Sequence, residues 1–389
     1  MKTLVFVDDE QNILQGLKRM LHGMRKQWKM HFFDNAHQAL EFILANDVDV
    51  LVSDVRMPGM DGVHLLKAVR ESSPNVIRMI LSGHSDYTKA LESTRVAHQF
   101  LSKPCDAEKL IATVERNLLL EEQLHNEKIL SLITGYDALP SSPVIYQQIM
   151  QAIESDDSSL ADISRLIEQD VAMTAKILQL VNSAFFGLPR NFVKISEALA
   201  YLGIDTVKTL VLMHGVFNTL AEVSDEFRSQ MERIWQHSLH TSYLAKAIAK
   251  DMGLSPKARD NATVAAMLHD IGQMVLQTFM LDDYAQVRQK AVAETQLLTE
   301  VETLELGCSH ADIGGYLLSL WGLPTIIIEA VLFHHNPDKA TISEFSEISA
   351  VYFANLIVDG DEALLNQDYL LAVADADAWS RWLELDNQD

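Results

Sequence analysis

The sequence has few cysteines and no long hydrophobic run, and both features restrict the class of protein. Two isolated cysteines among 389 residues make neither a disulfide framework nor a cysteine metal site. No apolar stretch reaches the roughly 18 residues that a membrane span needs. The opening segment, MKTLVFVDDE, lacks the length and the small-residue cleavage site of a signal peptide. We therefore expect a soluble cytoplasmic protein of two or three domains, without a membrane partner.

Basic residues are scarce after residue 120. The chain has 31 Lys and Arg against 54 Asp and Glu, a net charge of −23. Residues 1–120 hold 15 basic and 15 acidic residues, so residues 121–389 hold 16 basic and 39 acidic ones. An output that binds DNA needs basic residues to neutralise phosphates. The sequence therefore argues against a nucleic-acid partner and a transcription factor, although the acidity also suits a role in solubility alone.

Strand and helix patterns alternate up to about residue 117. Helical spacing, as in Gln11–Leu21, separates short apolar runs at Thr3–Val7, Asp49–Ser53, Val76–Leu81 and Gln99–Ser102. This alternation predicts a doubly wound parallel sheet with helices on both faces. Ligands of such sheets bind at the carboxyl ends of the strands.

Polar residues stand at the carboxyl ends of the predicted strands: Asp8 and Asp9, then Asp54, Ser82 and Lys103. Three carboxylates together bind a hard divalent cation through oxygen, and Mg²⁺ suits such a site. A metal and a lysine offset the charge of an incoming phosphoryl group, which a carboxylate attacks as a nucleophile. The pattern therefore predicts a magnesium site that accepts a phosphoryl group.

Four motifs in order, VDDE, DVRMPGMDG, LSG and KP, resemble the receiver domain of two-component response regulators. The resemblance covers residues 1–120 and implies a flavodoxin-like domain with a five-stranded parallel sheet. It implies that Asp54 accepts phosphate from a sensor histidine kinase or a phosphotransfer protein. Mg²⁺ would be held by Asp8, Asp9, Asp54 and the backbone carbonyl of Arg56.

The same resemblance assigns roles to residues further along the domain. Ser82 and Lys103 would contact the phosphoryl group, and Phe100 matches the aromatic switch position. The Lys103–Pro104 peptide bond would be cis, as is usual in the family. Two departures are minor, since Ser82 replaces the more usual Thr and Cys105 stands where an aromatic residue often follows the proline.

The pattern changes after the predicted sheet. From Asp106 to about Thr134 the spacing predicts one long helix, which would end the receiver domain and supply a helical linker at 121–135. Helical periodicity then dominates from residue 136 to 389, with few strand signals. We expect an all-α region of some ten or more helices.

Histidine motifs mark this helical region: WQHS, LHDIG, SHADIGG and FHHNP. Imidazole and carboxylate together suit Zn, Mn or Fe, and side chains from several helices can converge on one or two metals. The ordered set resembles the HD superfamily of metal-dependent phosphohydrolases. The residues that fall on its metal-ligand positions are His237, His269, Asp270, His310, His334 and His335.

Two positions depart from the active members of that superfamily. Asn355 stands where the last metal ligand is an aspartate, which leaves a weaker, neutral oxygen donor. Gln273 replaces the lysine that follows HDIG in the cyclic-dinucleotide branch, and the GYP motif of that branch is missing. Electrostatic groups of this kind contribute about 3–4 kcal/mol each to catalysis. An efficient enzyme is therefore not expected, whereas metal binding and a relict polar core both remain open.

A second resemblance accounts for these losses. The segments LPSSPVIYQQIMQAI, KISEALAYLGIDTVKTLVL, LHDIGQMVL and ELGCSHADIGGYLLSLWGLP resemble the HDOD domain. The output domain would occupy residues 136–389, with its HD-like half at about 230–360. HDOD domains are generally regarded as non-hydrolytic relatives that signal through protein contacts.

The combined expectation is a response regulator whose receiver controls an HDOD output. Phosphorylated Asp54 would alter the output's contact with a downstream signalling protein, by resemblance one that makes or degrades a cyclic dinucleotide. Homodimerisation would be in keeping with the family. The alternative is a phosphohydrolase of the HD superfamily that is regulated by phosphorylation. A transition metal in the HD-like region is left open, with a relict polar core as the alternative.

Overall fold

The computed structural model of the chain describes residues 1–82, 96–103, 105–135, 145, 148–149, 151–152, 158–182, 192–202, 224–340, 344–375 and 377–386. Within these ranges, the side chains of Ser82, Ser102, Leu180 and Glu362 are not described. The chain divides into two compact units. The N-terminal unit includes residues 1–135, and the C-terminal unit contains most of the described residues after 158.

The N-terminal unit is built on five parallel strands in the order β2-β1-β3-β4-β5. Their bounds are β1 Lys2–Val7, β2 Trp28–Phe33, β3 Val50–Asp54, β4 Ile77–Ser82 and β5 Gln99–Ser102. The central strand β3 is buried along its whole length, as expected of a parallel strand covered on both faces. The fold class predicted from the sequence is therefore confirmed. The edge strand β2 escaped the strand pattern, because Lys29 and His31 interrupt its apolar run.

Five helices complete the description of this unit. They are α1 Gln11–Met20, α2 Ala36–Ala45, α3 Gly62–Ser72, α4 Ala107–Gln123 and α5 Glu127–Gly135. The single helix predicted from Asp106 to Thr134 is wrong, since α4 ends at Gln123 and Leu124 adopts an extended conformation. The side chain of Asn126 then caps α5 by accepting hydrogen bonds from the backbone N–H groups of Lys128 and Ile129. Such a cap favours a new helix start over a continuous helix.

A buried arginine on β4 fastens α5 to this sheet. Arg78 is 1% exposed, and its guanidinium donates to the carbonyl oxygen of Thr134 and to carbonyls just before β4 and β5. Its backbone N–H donates to Nδ1 of His98, so Nε2–H of that ring donates to Thr134. Burial and the charge of Arg78 hold the pKa of His98 well below its usual value. The ring is therefore neutral.

The described part of the chain after residue 158 contains thirteen α-helices, which confirms the all-α region predicted from the sequence. They are α6 Leu160–Ile167, α7 Val171–Asn182, α8 Ile195–Leu202, α9 Asp225–Asp251, α10 Pro256–Leu268, α11 Ile271–Phe279, α12 Leu281–Glu294, α13 Leu298–Leu306, α14 His310–Leu320, α15 Thr325–Leu332, α16 Glu347–Asp359, α17 Gln367–Val373 and α18 Ala378–Asp386.

The long helix α9 packs against α10 and α16, and α10 packs against α15 and α16. This arrangement brings the histidine-bearing ends of several helices together. Among the described helices, none combines the length and the apolarity that crossing a bilayer requires.

Candidate functional site

The first candidate site lies at the carboxyl ends of β1, β3 and β5. Asp8 and Asp9 follow β1, Asp54 ends β3, and Lys103 follows β5. Carboxylate oxygens of the three aspartates lie within 4.8 Å of one another. The parallel sheet thus brings together the three acids that the sequence predicted as a magnesium site.

Lys103 joins two of these acids. Its Nζ lies 2.7 Å from Oδ2 of Asp8 and 2.7 Å from Oδ1 of Asp54. Asp8 is fully buried, whereas Asp9 is exposed. A single cation therefore bridges two buried carboxylates, and the exposed Asp9 leaves the site open on one side.

Burial and charge act in opposite directions on the two groups of this ion pair. Burial raises the pKa of Asp54 above its usual value, although the hydrogen bond and charge of Lys103 oppose the shift. Burial alone would lower the pKa of Lys103, but the bonds and charges of Asp54 and Asp8 outweigh it and raise that pKa. The amine is therefore cationic at neutral pH and is held where it faces Asp54.

The loop after β3 lies close to both the side chain and the backbone carbonyl of Asp54. The N–H of Arg56 donates to Oδ2 of Asp54 at 3.2 Å, and the N–H of Gly62 donates to the carbonyl of Val55 at 2.9 Å. A Cβ atom at Gly62 would lie 2.0 Å from the carbonyl oxygen of Asp54, so a side chain at this position would displace that residue. Asp61 then caps α3 by accepting from the N–H of His64.

The structure describes three further predicted positions to different extents. Phe100 lies in β5 and is buried at 6% exposure. Ser82 is the last residue of β4 and pairs with Ser102 of β5, while its side chain is outside the described groups. Pro104 lies outside the described residues, so the predicted cis peptide bond stays a prediction. The backbone thus puts Ser82 on the strand next to Asp54.

The donor set suits a hard divalent cation. Three carboxylates with one lysine leave negative charge at the edge of the sheet, and oxygen donors from one or two carboxylates are typical of Mg²⁺. The exposed Asp9 leaves room for water ligands, which Mg²⁺ retains. The residues present therefore fit magnesium.

The second candidate site is a cluster of imidazoles in the C-terminal unit. We call the seven residues below the histidine cluster. His237 lies in the middle of α9, while His269 and Asp270 form the junction between α10 and α11. His310 begins α14, and Asn355 lies in α16. His334 and His335 follow the end of α15.

The ring nitrogens of this cluster converge. His237 Nε2 lies 3.1 Å from His269 Nε2, and His310 Nε2 lies 3.0 Å from His335 Nε2. His334 Nε2 is 3.4 Å from that of His310. Potential ligand atoms fall into two groups, each within 4.8 Å, which are His237, His269 and Asp270 in one and His310, His334 and His335 in the other. The structure thus brings together every histidine that the sequence predicted.

Asp270 lies between the two groups. Its Oδ2 faces His237 at 3.7 Å and His269 at 3.5 Å, whereas its Oδ1 faces His310 at 3.3 Å and His334 at 3.9 Å. Burial would raise its pKa, but the surrounding imidazoles outweigh this and hold it well below the usual range. A buried carboxylate with one oxygen toward each group is arranged as a bridging ligand would be.

Backbone and side-chain acceptors fix the other nitrogen of three rings. Nδ1 of His269 lies 2.6 Å from the carbonyl of Ala266, and Nδ1 of His334 lies 2.6 Å from that of Val331. A carbonyl oxygen only accepts, so Nδ1 carries the proton and the lone pair of Nε2 faces the cluster. Histidine ligands of metals are oriented in this way by their outer partners.

The third ring is held by a residue that the sequence analysis missed. Nδ1 of His310 lies 2.7 Å from Oε2 of Glu302, which is fully buried and also accepts from the hydroxyl of Tyr284 at 2.8 Å. Burial would lower the pKa of His310, but Glu302 and Asp270 outweigh it and raise it to about 10. The available signal was a glutamate eight residues before the histidine, with no motif to single it out.

Three of the other rings, those of His269, His334 and His335, are neutral. Burial, opposed by Asp270, lowers the pKa of His269 to about 4, and burial with the charge of His310 lowers that of His335 to about 3. Neutral imidazoles are the form that binds a transition metal. The donor set of imidazoles with one carboxylate therefore fits a Zn, Mn or Fe centre.

Asn355 closes the cluster on the α16 side. Its Oδ1 lies 2.9 Å from Nε2 of His237, and its Nδ2 donates to Oδ2 of Asp359 at 3.1 Å. Asp359 is a second residue that the sequence analysis missed. Its spacing of four residues from Asn355 on a helix was the signal that could have revealed it.

Comparison with protein families gives two matches in the order expected from the motifs. The family model of the response regulator receiver domain matches residues 4–115, and that of the HDOD domain matches residues 139–337. The second match covers 199 of the 389 residues, just over half of the chain.

Curated relatives match parts of the chain. An uncharacterized protein of Treponema pallidum (strain Nichols) is 31% identical over 248 residues, which are 63% of this chain and 47% of the relative. The DNA-binding transcriptional regulator NtrC of Escherichia coli (strain K12) is 38% identical over 111 residues, 28% of this chain and 23% of that protein. The chain thus spans less than half the length of these two relatives.

Solved structures show a partial likeness. The MmoQ response regulator from Methylococcus capsulatus str. Bath is 22% identical, with a TM-score of 0.49, over 64% of this chain and 98% of that chain. An HDOD domain protein with unknown function from Geobacter sulfurreducens is 23% identical, with a TM-score of 0.41, over 70% of this chain and 95% of that chain. Both TM-scores lie below 0.5, so neither likeness adds to what the family models show.

Proposed function

Because this chain belongs to the HDOD domain family and carries a response regulator receiver domain, we propose that phosphorylation of Asp54 controls its HDOD output. The observation that carries the proposal is the position of Lys103, whose amine lies 2.7 Å from both Asp8 and Asp54. An amine in this place offsets the charge of a phosphoryl group that arrives at Asp54.

The proposed reaction uses the carboxylate of Asp54 as the nucleophile. One of its oxygens bonds to phosphorus while the bond to the donor, a histidine of the partner kinase or phosphotransfer protein, breaks. Asp8, Asp9 and Asp54, with the backbone carbonyl of Arg56, would hold Mg²⁺, which neutralises charge on the phosphoryl oxygens. Lys103 stays paired with Asp8 and gains a phosphoryl oxygen as a partner.

The output would respond through β4 and β5. Ser82 would bond to a phosphoryl oxygen, and Phe100 would change its packing in response. The HDOD region would then shift between two states that differ in affinity for a downstream signalling protein. By family resemblance, we propose that this protein is an enzyme that makes or degrades a cyclic dinucleotide.

Phosphorylation is tested with the full chain, acetyl phosphate and Mg²⁺. We expect the wild type to be labelled and Asp54→Asn to remain unlabelled. Asp47→Asn is the matched control, because Asp47 is exposed just before β3, at the end of that strand remote from Asp54. Labelling of Asp54→Asn at the wild-type level would refute the proposal, as would labelling that is unchanged by removal of Mg²⁺.

The output is tested by affinity capture with and without beryllofluoride, which mimics the phosphoryl group on aspartate. We expect at least one signalling protein whose capture depends on beryllofluoride in the wild type and loses that dependence in Asp54→Asn. Identical sets of captured proteins under both conditions would contradict control of the output by protein contact.

We propose a second role, metal binding, for the histidine cluster. It is supported by the convergence of ring nitrogens on the two oxygens of Asp270. His237, His269 and Asp270 would hold one ion, and His310, His334 and His335 a second. A bound ion would polarise water or a phosphoryl oxygen, and its entry would displace the proton of His310. Metal content by mass spectrometry, lost in His269→Ala, tests this role.

The phosphohydrolase alternative rests on the same cluster. Asn355 and Gln273 remove a carboxylate and a cation that active members carry, so we propose a metal site without efficient turnover. A hydrolysis assay with cyclic dinucleotides separates the two functions. Turnover that disappears in His269→Ala or Asp270→Ala would establish the enzyme instead.

A further inference from the structure

The amide of Asn355 occupies a position between the histidine cluster and a carboxylate outside it. On the inner side, its Oδ1 lies 2.9 Å from Nε2 of His237. On the outer side, its Nδ2 donates to Oδ2 of Asp359 at 3.1 Å. Asn355 itself is 2% exposed, so its amide forms hydrogen bonds with neighbouring protein groups rather than with solvent. The two ends of one amide therefore face two chemically different neighbours.

The outer neighbour decides which way the amide points. An amide has a donor end, NH₂, and an acceptor end, C=O, of nearly the same size, and its hydrogen bonds determine its orientation. The carboxylate of Asp359 only accepts, so it favours the NH₂ end. The reverse orientation would set the amide oxygen against a carboxylate oxygen and point NH₂, which cannot bind a metal, at His237.

Asp359 also reaches the ring next to the amide. Its Oδ1 lies 3.6 Å from Nδ1 of His237, the nitrogen that faces away from the cluster. Asp359 follows Asn355 by one turn of α16, which places the two side chains on the same helix face. One carboxylate thus stands behind both an oxygen donor and a nitrogen donor of the cluster.

We propose that Asp359 is a positioning residue that turns the oxygen of Asn355, rather than its nitrogen, toward the metal site. The inference rests on the proposed metal-binding role of the cluster. It explains how a chain with asparagine at the last ligand position keeps an oxygen donor there. The negative charge that Asn355 lacks is supplied one helical turn away, by the carboxylate of Asp359.

The experiment measures zinc binding to the purified full chain, by metal content after dialysis and by competition with a chelator. The variants are Asp359→Asn, Asn355→Asp and the double variant, with Asp361→Asn as the matched control. Asp361 is exposed, lies two residues beyond Asp359 and undergoes the same loss of charge. Circular dichroism confirms that each variant is folded.

We expect Asp359→Asn to weaken zinc binding about 10- to 100-fold, the range for partners that orient metal ligands. Asp361→Asn should leave binding within about twofold of the wild type, because that residue lies outside the contact. In the Asn355→Asp background there is no amide to orient. Adding Asp359→Asn to that background removes only the contact with Nδ1 of His237, so it should weaken zinc binding less than about 10-fold.

The outcomes separate this inference from the metal proposal. A wild type that binds no zinc overturns both. Wild-type zinc binding with Asp359→Asn unchanged overturns the positioning role and leaves the metal site standing. An equal loss from Asp359→Asn in both backgrounds also overturns the inference, because a general charge effect does not depend on the residue at position 355. If Asp359→Asn fails to fold, the comparison of Asn355→Asp with the double variant remains, and a loss of about 10-fold or more between these two overturns it.

Discussion

The two polar clusters of this chain handle charge in opposite ways. At the edge of the sheet, three carboxylates lie together, and two of them, those of Asp8 and Asp54, pair with one lysine that the protein itself supplies. In the histidine cluster, the ion pairs of Asp270 are all with imidazoles, whose charge depends on protons or on a bound metal. The first site carries a fixed cation suited to a transient anion, whereas the second is suited to a resident cation.

The supporting structure differs as well. The acidic site gathers residues that immediately follow parallel strands, so the sheet topology alone brings them together. The histidine cluster gathers residues from α9, the α10–α11 junction, α14, the segment after α15 and α16, and it depends on outer partners such as Glu302. A site at strand ends is therefore specified by short motifs, while a site among helices needs a second layer of residues.

The largest effect is expected from Lys103→Ala. Without the amine, Asp8 and Asp54 lose the cation that both contact, and the incoming phosphoryl group loses its counter-charge. We expect the rate of labelling by acetyl phosphate to fall about 10²- to 10³-fold, with zinc binding unchanged. Lys109→Ala, on the exposed side of α4, is the control. A similar loss in both variants would mean that overall charge, not the contact, matters.

Metal removal should distinguish the two units next. At a free zinc concentration of 100 times the dissociation constant of the histidine cluster, bound zinc stabilises the folded state by about 2.7 kcal/mol. In protein that was loaded with zinc in the absence of Mg²⁺, chelation should therefore speed amide hydrogen exchange in α9, α10 and α16, measured by mass spectrometry, and leave β1 and β3 unchanged. Equal acceleration in both units would break the proposed separation.

A pair of glycines offers a reciprocal test. A Cβ at Gly62 would lie 2.0 Å from the carbonyl oxygen of Asp54, and a Cβ at Gly272 would lie 1.9 Å from that of His310. Each Gly→Ala change should displace one site and destabilise its own unit by about 1–3 kcal/mol. We expect Gly62→Ala to slow phosphorylation alone and Gly272→Ala to weaken zinc binding alone.

The control for this pair is Gly16→Ala in α1, where nothing lies within 4 Å of the added atom. Alanine should stabilise that helix by roughly 0.5–1 kcal/mol. Loss of both activities in either of the two test variants would show that the sites are not independent.

A smaller effect is expected from acidification of the metal-free protein. Burial lowers the pKa of His269 to about 4 and that of His335 to about 3, so both rings are neutral when folded and gain a proton on unfolding below about pH 6.5. Their contribution to stability is present above pH 6.5 and is lost as the pH falls. His334 also has a lowered pKa, so three rings destabilise the folded state as the pH falls. His310 has a raised pKa and opposes this loss of stability, but it is a single ring.

The balance predicts that the C-terminal unit loses about 1 kcal/mol between pH 7 and pH 6. Among the described rings of the N-terminal unit, the pKa of His98 lies well below its usual value and that of His31 is also lowered by burial, so this unit should lose less. Hydrogen exchange at the two pH values, corrected for the intrinsic rate, measures both. A larger loss in the N-terminal unit would contradict the assigned protonation states.

Much of the acidic site could be predicted from the sequence. Asp8, Asp54 and Lys103 each directly follow or end a strand, and a parallel sheet leaves few places for such residues. The edge strand β2 was harder, because edge strands tolerate polar residues such as Lys29 that break the apolar pattern. The break after α4 was missed because Leu124 fits a helical pattern, and the cap at Asn126 decides otherwise.

The histidine cluster could be predicted only at its inner layer. Short motifs mark His269, Asp270 and His310, but Glu302 and Asp359 are acids in an acidic chain, without a motif. Their roles follow from burial and from contacts with Nδ1 of His310 and the amide of Asn355, which depend on how helices pack. Helix packing cannot be derived from local spacing, whereas the order of strand ends largely can.

The central claim is that Asp54 is the residue that takes up phosphate. The most direct measurement is peptide mapping by mass spectrometry after acetyl phosphate treatment and borohydride reduction, which converts phosphoaspartate to homoserine. We predict homoserine at position 54 in the wild type, dependent on Mg²⁺ and on Lys103. Homoserine at another aspartate, with position 54 unmodified, would contradict the account.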